Sequence, residues 1–286
     1  MSQTPASAVL LMLLAMTCIP AGDAAGKVLM QNFGASPFFV GFSRFAVGAV
    51  VAVVAGLGLF LLGRPPRLRV FTDWRLWLRG GLIAAGVACI VSALRTEPLA
   101  NTFGAFFIGP ILSYLLSAWL LKEPITLART VLLLCGFASV LLVVRPGFGM
   151  TPGLALAVLA GLFYGAYLTT SRWARDAALP EELLLTQLVV AALCLAPLGA
   201  MTWPPLTGQS VLLISASALL SMLGNLLLIL AYARAPASRM APFVYFQLVA
   251  ATVLGLALFG TFPDTLALIG LVGLCLSGFA TVLLRR

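Results

Sequence analysis

Three charged residues stand inside long apolar stretches: Asp23, Lys27 and Arg44. A charge at the centre of a membrane span costs about 3 kcal/mol on insertion scales, so such residues pair with one another or face a cavity. Asp23 and Lys27 are four apart and share one helix face. Two roles are open for these structural or gating charges. Asp23 can pair with Arg44 or Lys27 and so fix one half of the spans, or the set can handle a ligand or a proton directly. The run from Gly22 to Lys27 superficially suggests a phosphate loop. It fails twice, because Ala21 occupies the first glycine position and Val28 replaces the Ser or Thr, so no ATP site is expected. Gly22 and Gly26, like Gly161 and Gly165, read instead as close helix packing.

A second group is uncharged. Tyr164, Tyr167, Asn225, Tyr245 and Gln247 bring phenols and amides into apolar surroundings, where each needs a hydrogen-bond partner on another helix or in a wet cavity. With Phe107 and Pro20 they are the candidate substrate-binding lining. Phe103, Phe106 and Phe107 also read as plain packing. Pro20 and Pro110 fall near mid-membrane and Pro242 nearer one end. Each removes an N–H, bends its helix and frees a carbonyl, which either remains a kink or binds an ammonium group.

Other chemistry is excluded by what is missing. The chain has no histidine, the commonest general base and metal ligand near neutral pH. Cys18, Cys89, Cys135, Cys194 and Cys275 are scattered through apolar runs without ligand or disulfide spacing. No catalytic residue, metal, cofactor or nucleic-acid partner is expected, and the chain does not read as an enzyme.

The elements that must position these residues are membrane spans. Of 286 residues, 62% are hydrophobic and 9% charged, and the mean hydropathy is +1.12, far from soluble domains. Ten apolar runs are long enough to cross a bilayer: Ala8–Leu29, Pro37–Leu62, Leu76–Ala93, Ala100–Leu121, Thr126–Val144, Pro152–Trp173, Glu182–Met201, Gln209–Ala233, Ser238–Phe259 and Thr265–Leu284. The first lacks a basic leader, so no cleaved signal peptide is read. Basic residues alternate between sides. With the N-terminus cytoplasmic, the inner loops and tail hold Arg64, Arg67, Arg69, Arg75, Arg79, Lys122, Arg129, Arg172, Arg175, Arg234, Arg239, Arg285 and Arg286, against Arg95 and Arg145 outside. That bias predicts both termini inside. The first five inner arginines read as topology determinants, and Trp74 and Trp77 as an interfacial belt.

The chain also repeats. Pro98–Gly147 and Pro236–Leu284 share a polar start, an apolar run, a proline turn and a second apolar run, with Phe107 falling on Tyr245. Two halves, 1–146 and 147–286, follow. Each holds five spans, an odd number, so the second is inverted, the usual construction of secondary transporters. On these motifs, with Glu123 at the turn of the first copy and Thr261 in its place in the second, the chain resembles the drug/metabolite transporter superfamily, in particular its EamA-like ten-helix bacterial members. Asp23-x-x-x-Lys27 with Pro37 and Arg44, and the run Ala241-Pro242-Phe243-x-Tyr245-x-Gln247, carry the same resemblance.

That resemblance implies an all-α integral membrane protein, ten helices in two inverted repeats around a central cavity, moving small molecules across the bacterial inner membrane. YddG-type amino-acid exporters are the nearest functional analogy. The expected cargo is an amino acid or similar small polar metabolite, the alternative a drug-like cation or a nucleoside-related metabolite. An intramembrane enzyme and an accessory subunit are the readings from other classes.

Overall fold

Apolar runs closed by Pro, Gly or a polar turn fold as helices wherever the chain is described. The computed structural model describes residues 6–61, 68–122, 127–147, 149–174, 176–234, 240 and 243–283. Its helices are α1 (Ala6–Phe33), α2 (Pro37–Leu61), α3 (Trp74–Thr96), α4 (Leu99–Phe106), α5 (Ile108–Leu120), α6 (Leu127–Val144), α7 (Pro152–Trp173), α8 (Pro180–Gly199), α9 (Gly208–Arg234), α10 (Phe246–Phe259) and α11 (Thr265–Leu283), with a 3-10 turn at Leu68–Thr72. Seven spans are long and apolar enough to cross a membrane, one of them built from α4 and α5, and three shorter apolar helices complete the ten. Glu123, Pro124, Pro242 and the basic residues Arg64, Arg67, Arg175, Arg239, Arg285 and Arg286 lie outside the described residues.

Local chemistry explains the ends. Asp73 caps α3 by accepting from the Arg75 amide, and Thr151 caps α7 by accepting from Leu154. After α10 the chain reverses at Gly260, whose φ of 62° is open to glycine. There the Thr261 and Gly260 amides close back on Gly255 and Leu256. The fourth span is not one helix. It breaks at Phe107, three residues before Pro110, which has no N–H to offer the carbonyl of Phe106. Tyr245 occupies a matching break before α10, with backbone angles of −68° and −15° against −67° and 1° at Phe107.

Packing gives the symmetry. α1 lies along α9 and α3 along α7, α2 along α8, α6 along α11; α4 and α5 flank α7 while α10 flanks α1. Exchanging each span of the first half for its counterpart in the second leaves this pattern unchanged. The packing thus repeats one five-span unit twice. At the meeting line of the two copies the rings of Phe107 and Tyr245 pack against each other, tilted by 33° with centroids 5.0 Å apart. Serine and glycine meet reciprocally between α6 and α11: a methyl group added at Gly273 would lie 2.5 Å from Ser139 Oγ, and one at Gly136 would lie 3.4 Å from Ser277 Oγ. Such small-residue faces let helices approach where lipid supplies no hydrophobic drive.

Candidate functional site

One end of the bundle is closed by charge. Arg44 of α2 pairs with the Asp23 carboxylate of α1, its Nε donates to Ser217 Oγ of α9 at 2.8 Å, and its Nη2 donates to the Gly22 carbonyl at 3.0 Å. Ser217 donates to the same carbonyl at 2.8 Å. Gly22 makes this possible, since a methyl group there would lie 2.6 Å from Ser221 Oγ. Lys27 does not reach Asp23 as its partner. It donates to the Glu97 carbonyl at the end of α3 and lies 5.2 Å over the Phe259 ring, while the Glu97 carboxylate accepts from Thr151 at the start of α7. Asp23, Lys27, Arg44 and Glu97 are all buried.

The other end is open. A cavity of about 210 Å³ is lined by Arg79 of α3, Tyr167 of α7, Leu183, Leu184 and Gln187 of α8, and Asn225 and Leu228 of α9. Its depth is set by Tyr167, six residues from the end of α7, or about 9 Å at 1.5 Å per residue. The cavity is thus displaced from mid-depth toward this end, because the opposite end is filled by the Asp23–Arg44 set.

Arg79 organises the cavity wall. Its Nε donates to Ser171 Oγ at 2.8 Å, Nη1 to the Leu183 carbonyl at 2.8 Å, and Nη2 to Tyr167 Oη at 2.9 Å and Gln187 Oε1 at 2.8 Å. Tyr167 in turn donates to Gln187 Oε1 at 2.7 Å, and the guanidinium lies 4.9 Å over the Tyr167 ring. Behind Tyr167 runs a ladder of rings, Tyr164 at 5.8 Å, then Phe106 at 4.9 Å, then Phe103 at 6.5 Å. Across the cavity Asn225 donates its amide to the Ser221 carbonyl at 2.8 Å, leaving its side-chain oxygen as an acceptor.

Of the sequence candidates, the structure places Tyr167 and Asn225 in this wall and Tyr164 one ring behind it. Tyr245 and Phe107 pack against each other between the halves, Gln247 is buried on α10 and Pro20 within α1. Beside Asp23, Lys27 and Arg44, the structure also buries Glu97, Glu182 and Arg79. One expectation needs correction. Arg79 is no loop arginine: it is only 8% exposed, drawn in by four acceptor oxygens that its neighbours provide.

Arg79 and Gln187 had a signal that went unread. Arg44 follows Pro37 by seven residues and Gln187 follows Pro180 by seven; Arg79 precedes Gly86 by seven and Ser217 precedes Gly224 by seven. The arginine cluster at one end is thus made from the counterparts of the cluster at the other. Among the described residues no group of three His, Cys, Asp or Glu side chains could hold a metal ion.

Ten apolar helical spans in two copies, with a cavity lined by both, place the chain among multi-pass membrane proteins. The sequence profile of the EamA-like transporter family matches residues 6–145 and again 151–284, and the chain belongs to that family, within the drug/metabolite transporters. It is 32% identical over 172 residues to the aromatic amino acid exporter YddG of Ancylobacter novellus, a match covering 56% of this chain and 54% of that one, so it spans about half of that relative's length. Against the S-adenosylmethionine uptake transporter of Rickettsia bellii it is 25% identical over 271 residues, covering 91% of this chain and 88% of the other. A solved crystal structure matches 98% of each chain with a TM-score of 0.65 at 22% identity, a likeness of fold. The protein is thus a multi-pass membrane protein of a transporter family.

Proposed function

We propose that this transporter passes amino acids or similarly small polar metabolites outward across a bacterial inner membrane by alternating access, with both termini cytoplasmic. One observation supports it above the others. The cavity lies between α3 of the first half and α7, α8 and α9 of the second, and joins a guanidinium, a phenol and two amides to a leucine wall. That is the lining a small amphipathic zwitterion needs. On the positive-inside topology this cavity faces the cytoplasm and the Asp23–Arg44 set closes the outer side. Halves 1–146 and 147–286 then exchange shapes to reverse access.

The cargoes named for the two relatives, aromatic amino acids and S-adenosylmethionine, share an α-amino carboxylate. A cavity of about 210 Å³ suits a single amino acid better than one bearing adenosine, which leaves a nucleoside-related cargo as the second reading. The test is flux of radiolabelled amino acids in proteoliposomes, with and without a pH gradient. Accumulation or counterflow of an amino acid is the expected result. Movement of no amino acid under any gradient, with S-adenosylmethionine moving instead, would replace this reading by the second.

A further inference from the structure

We propose that Arg79, held by Tyr167 and Gln187, is the receptor for the carboxylate of the carried molecule on the side where the cavity opens. This deepens the amino-acid reading and rests on it. Arginine keeps its charge in any protein environment, and four of its five N–H groups here meet oxygens of Ser171, Leu183, Tyr167 and Gln187, all of them neutral. Among the described residues no carboxylate lies within ion-pair distance of it. A buried cation without a counter-ion is a costly arrangement, and this one borders a cavity instead of being packed over. One Nη1 hydrogen remains unused.

An anion entering the cavity meets the guanidinium at its edge, the Asn225 oxygen across from it, and Leu183, Leu184 and Leu228 around its apolar part. The ligand class is therefore a small organic carboxylate with an acceptor-seeking group nearby and an apolar side chain. Tyr167 and Gln187 are positioning residues. Each grips the same Nη2, and they grip each other, so the fork is held in place before a ligand arrives.

The experiment uses the full chain, with binding measured by calorimetry in detergent and flux in proteoliposomes. The probes are L-phenylalanine and L-leucine, each compared with its carboxamide. Wild type binds the acids at least about tenfold more tightly than the amides, the loss expected when a charged hydrogen bond has no partner. Arg79→Gln brings the acids down to the level of the amides, and Arg79→Lys keeps part of the preference. Gln187→Glu preserves the shape, guards against misfolding of the Arg79 variants, and supplies the missing carboxylate from the protein itself. It loses the acids while keeping the amides. Equal binding of acid and amide by wild type, or an unchanged acid preference in folded Arg79→Gln or Gln187→Glu, overturns the assignment even if amino acids are transported. Acid-selective binding without flux sinks the transport reading and leaves the carboxylate receptor standing.

Discussion

The two ends of this molecule are built from the same parts and carry opposite electrostatics. At the closed end α1, α2 and α9 meet; at the open end their counterparts α7, α8 and α3 meet. Each end has one arginine, supplied by α2 in one case and α3 in the other, and the counterpart position holds an acceptor: Gln187 for Arg44, Ser217 for Arg79. Among the described residues only the arginine of the closed end is ion-paired, to Asp23. The Asp23 carboxylate neutralises Arg44 at the closed end, whereas among the described residues Arg79 at the open end meets only neutral oxygens. A symmetric frame thus holds its two arginines differently, one by a carboxylate and one by neutral acceptors.

The largest effect should come from removing that carboxylate. Asp23→Ala leaves the Arg44 guanidinium buried and unpaired, which typically costs about 3–5 kcal/mol. Thermal unfolding of the purified chain in detergent reads it directly. Asp23→Ala combined with Arg44→Ala should cost less than the two single changes added together, because the orphaned charge has gone. If Asp23→Ala melts with wild type, the closed end is not held by charge and the contrast with the other end collapses.

The reverse operation should give the next effect. Gln187→Glu turns the open end into a second ion pair at a site where Oε1 already accepts from Arg79 at 2.8 Å. Exchanging a neutral for a charged acceptor strengthens that bond by about 1–2 kcal/mol, part of which desolvation of the acid offsets. Unfolding should therefore shift upward modestly while amino-acid flux falls to background. A variant both more stable and fully active would mean that the charge at this end plays no part in carriage.

How far this contrast was legible in the sequence depends on the residue. The ten spans were, because an apolar run of bilayer length admits little besides a helix. The contact of Phe107 with Tyr245 follows an alignment that put those two residues together. Arg79 was misread because it follows Arg75 at the basic start of a span, and positional bias cannot tell a headgroup anchor from a residue turned inward one helical turn later. The burial of Glu97 depends on Lys27 and Thr151, seventy and fifty-four residues away, which no local pattern encodes. The break at Phe107 could be placed from Pro110, but the matching break at Tyr245 has no proline after it.

Packing in the two counterpart helix pairs differs too, and one pair of glycines can show it. Gly86 and Gly224 occupy counterpart positions on α3 and α9. A methyl group at Gly224 would lie 2.7 Å from the Ile19 side chain and 3.2 Å from its backbone nitrogen, whereas at Gly86 the nearest atom, the Ala160 carbonyl oxygen, is 3.5 Å away. Gly224→Ala should cost about 1–3 kcal/mol as overpacking. Gly86→Ala should be neutral, or slightly stabilising since alanine suits a helix interior better than glycine. Equal melting of the two variants would mean that α1 against α9 is no tighter than α3 against α7.

The smallest effect contrasts the buried ion pair with an exposed one. Arg145, just beyond α6, pairs with Asp264, which caps α11 by accepting from the Ala267 amide at 2.9 Å. That amide first, and Arg145 after it, hold the Asp264 carboxyl below its ordinary value. A depressed carboxyl stabilises the fold above its unfolded pKa of about 3.9, and the contribution disappears as pH falls through the lower folded value. The side chain is 58% exposed, so Arg145→Ala should cost no more than about 1 kcal/mol at neutral pH. Melting curves of wild type and Arg145→Ala should converge as the pH drops below about 3.9 and also as salt is raised at neutral pH. The cost of Asp23→Ala, screened by protein on every side, should persist at high salt, and a salt-sensitive gap there would place that pair in contact with water.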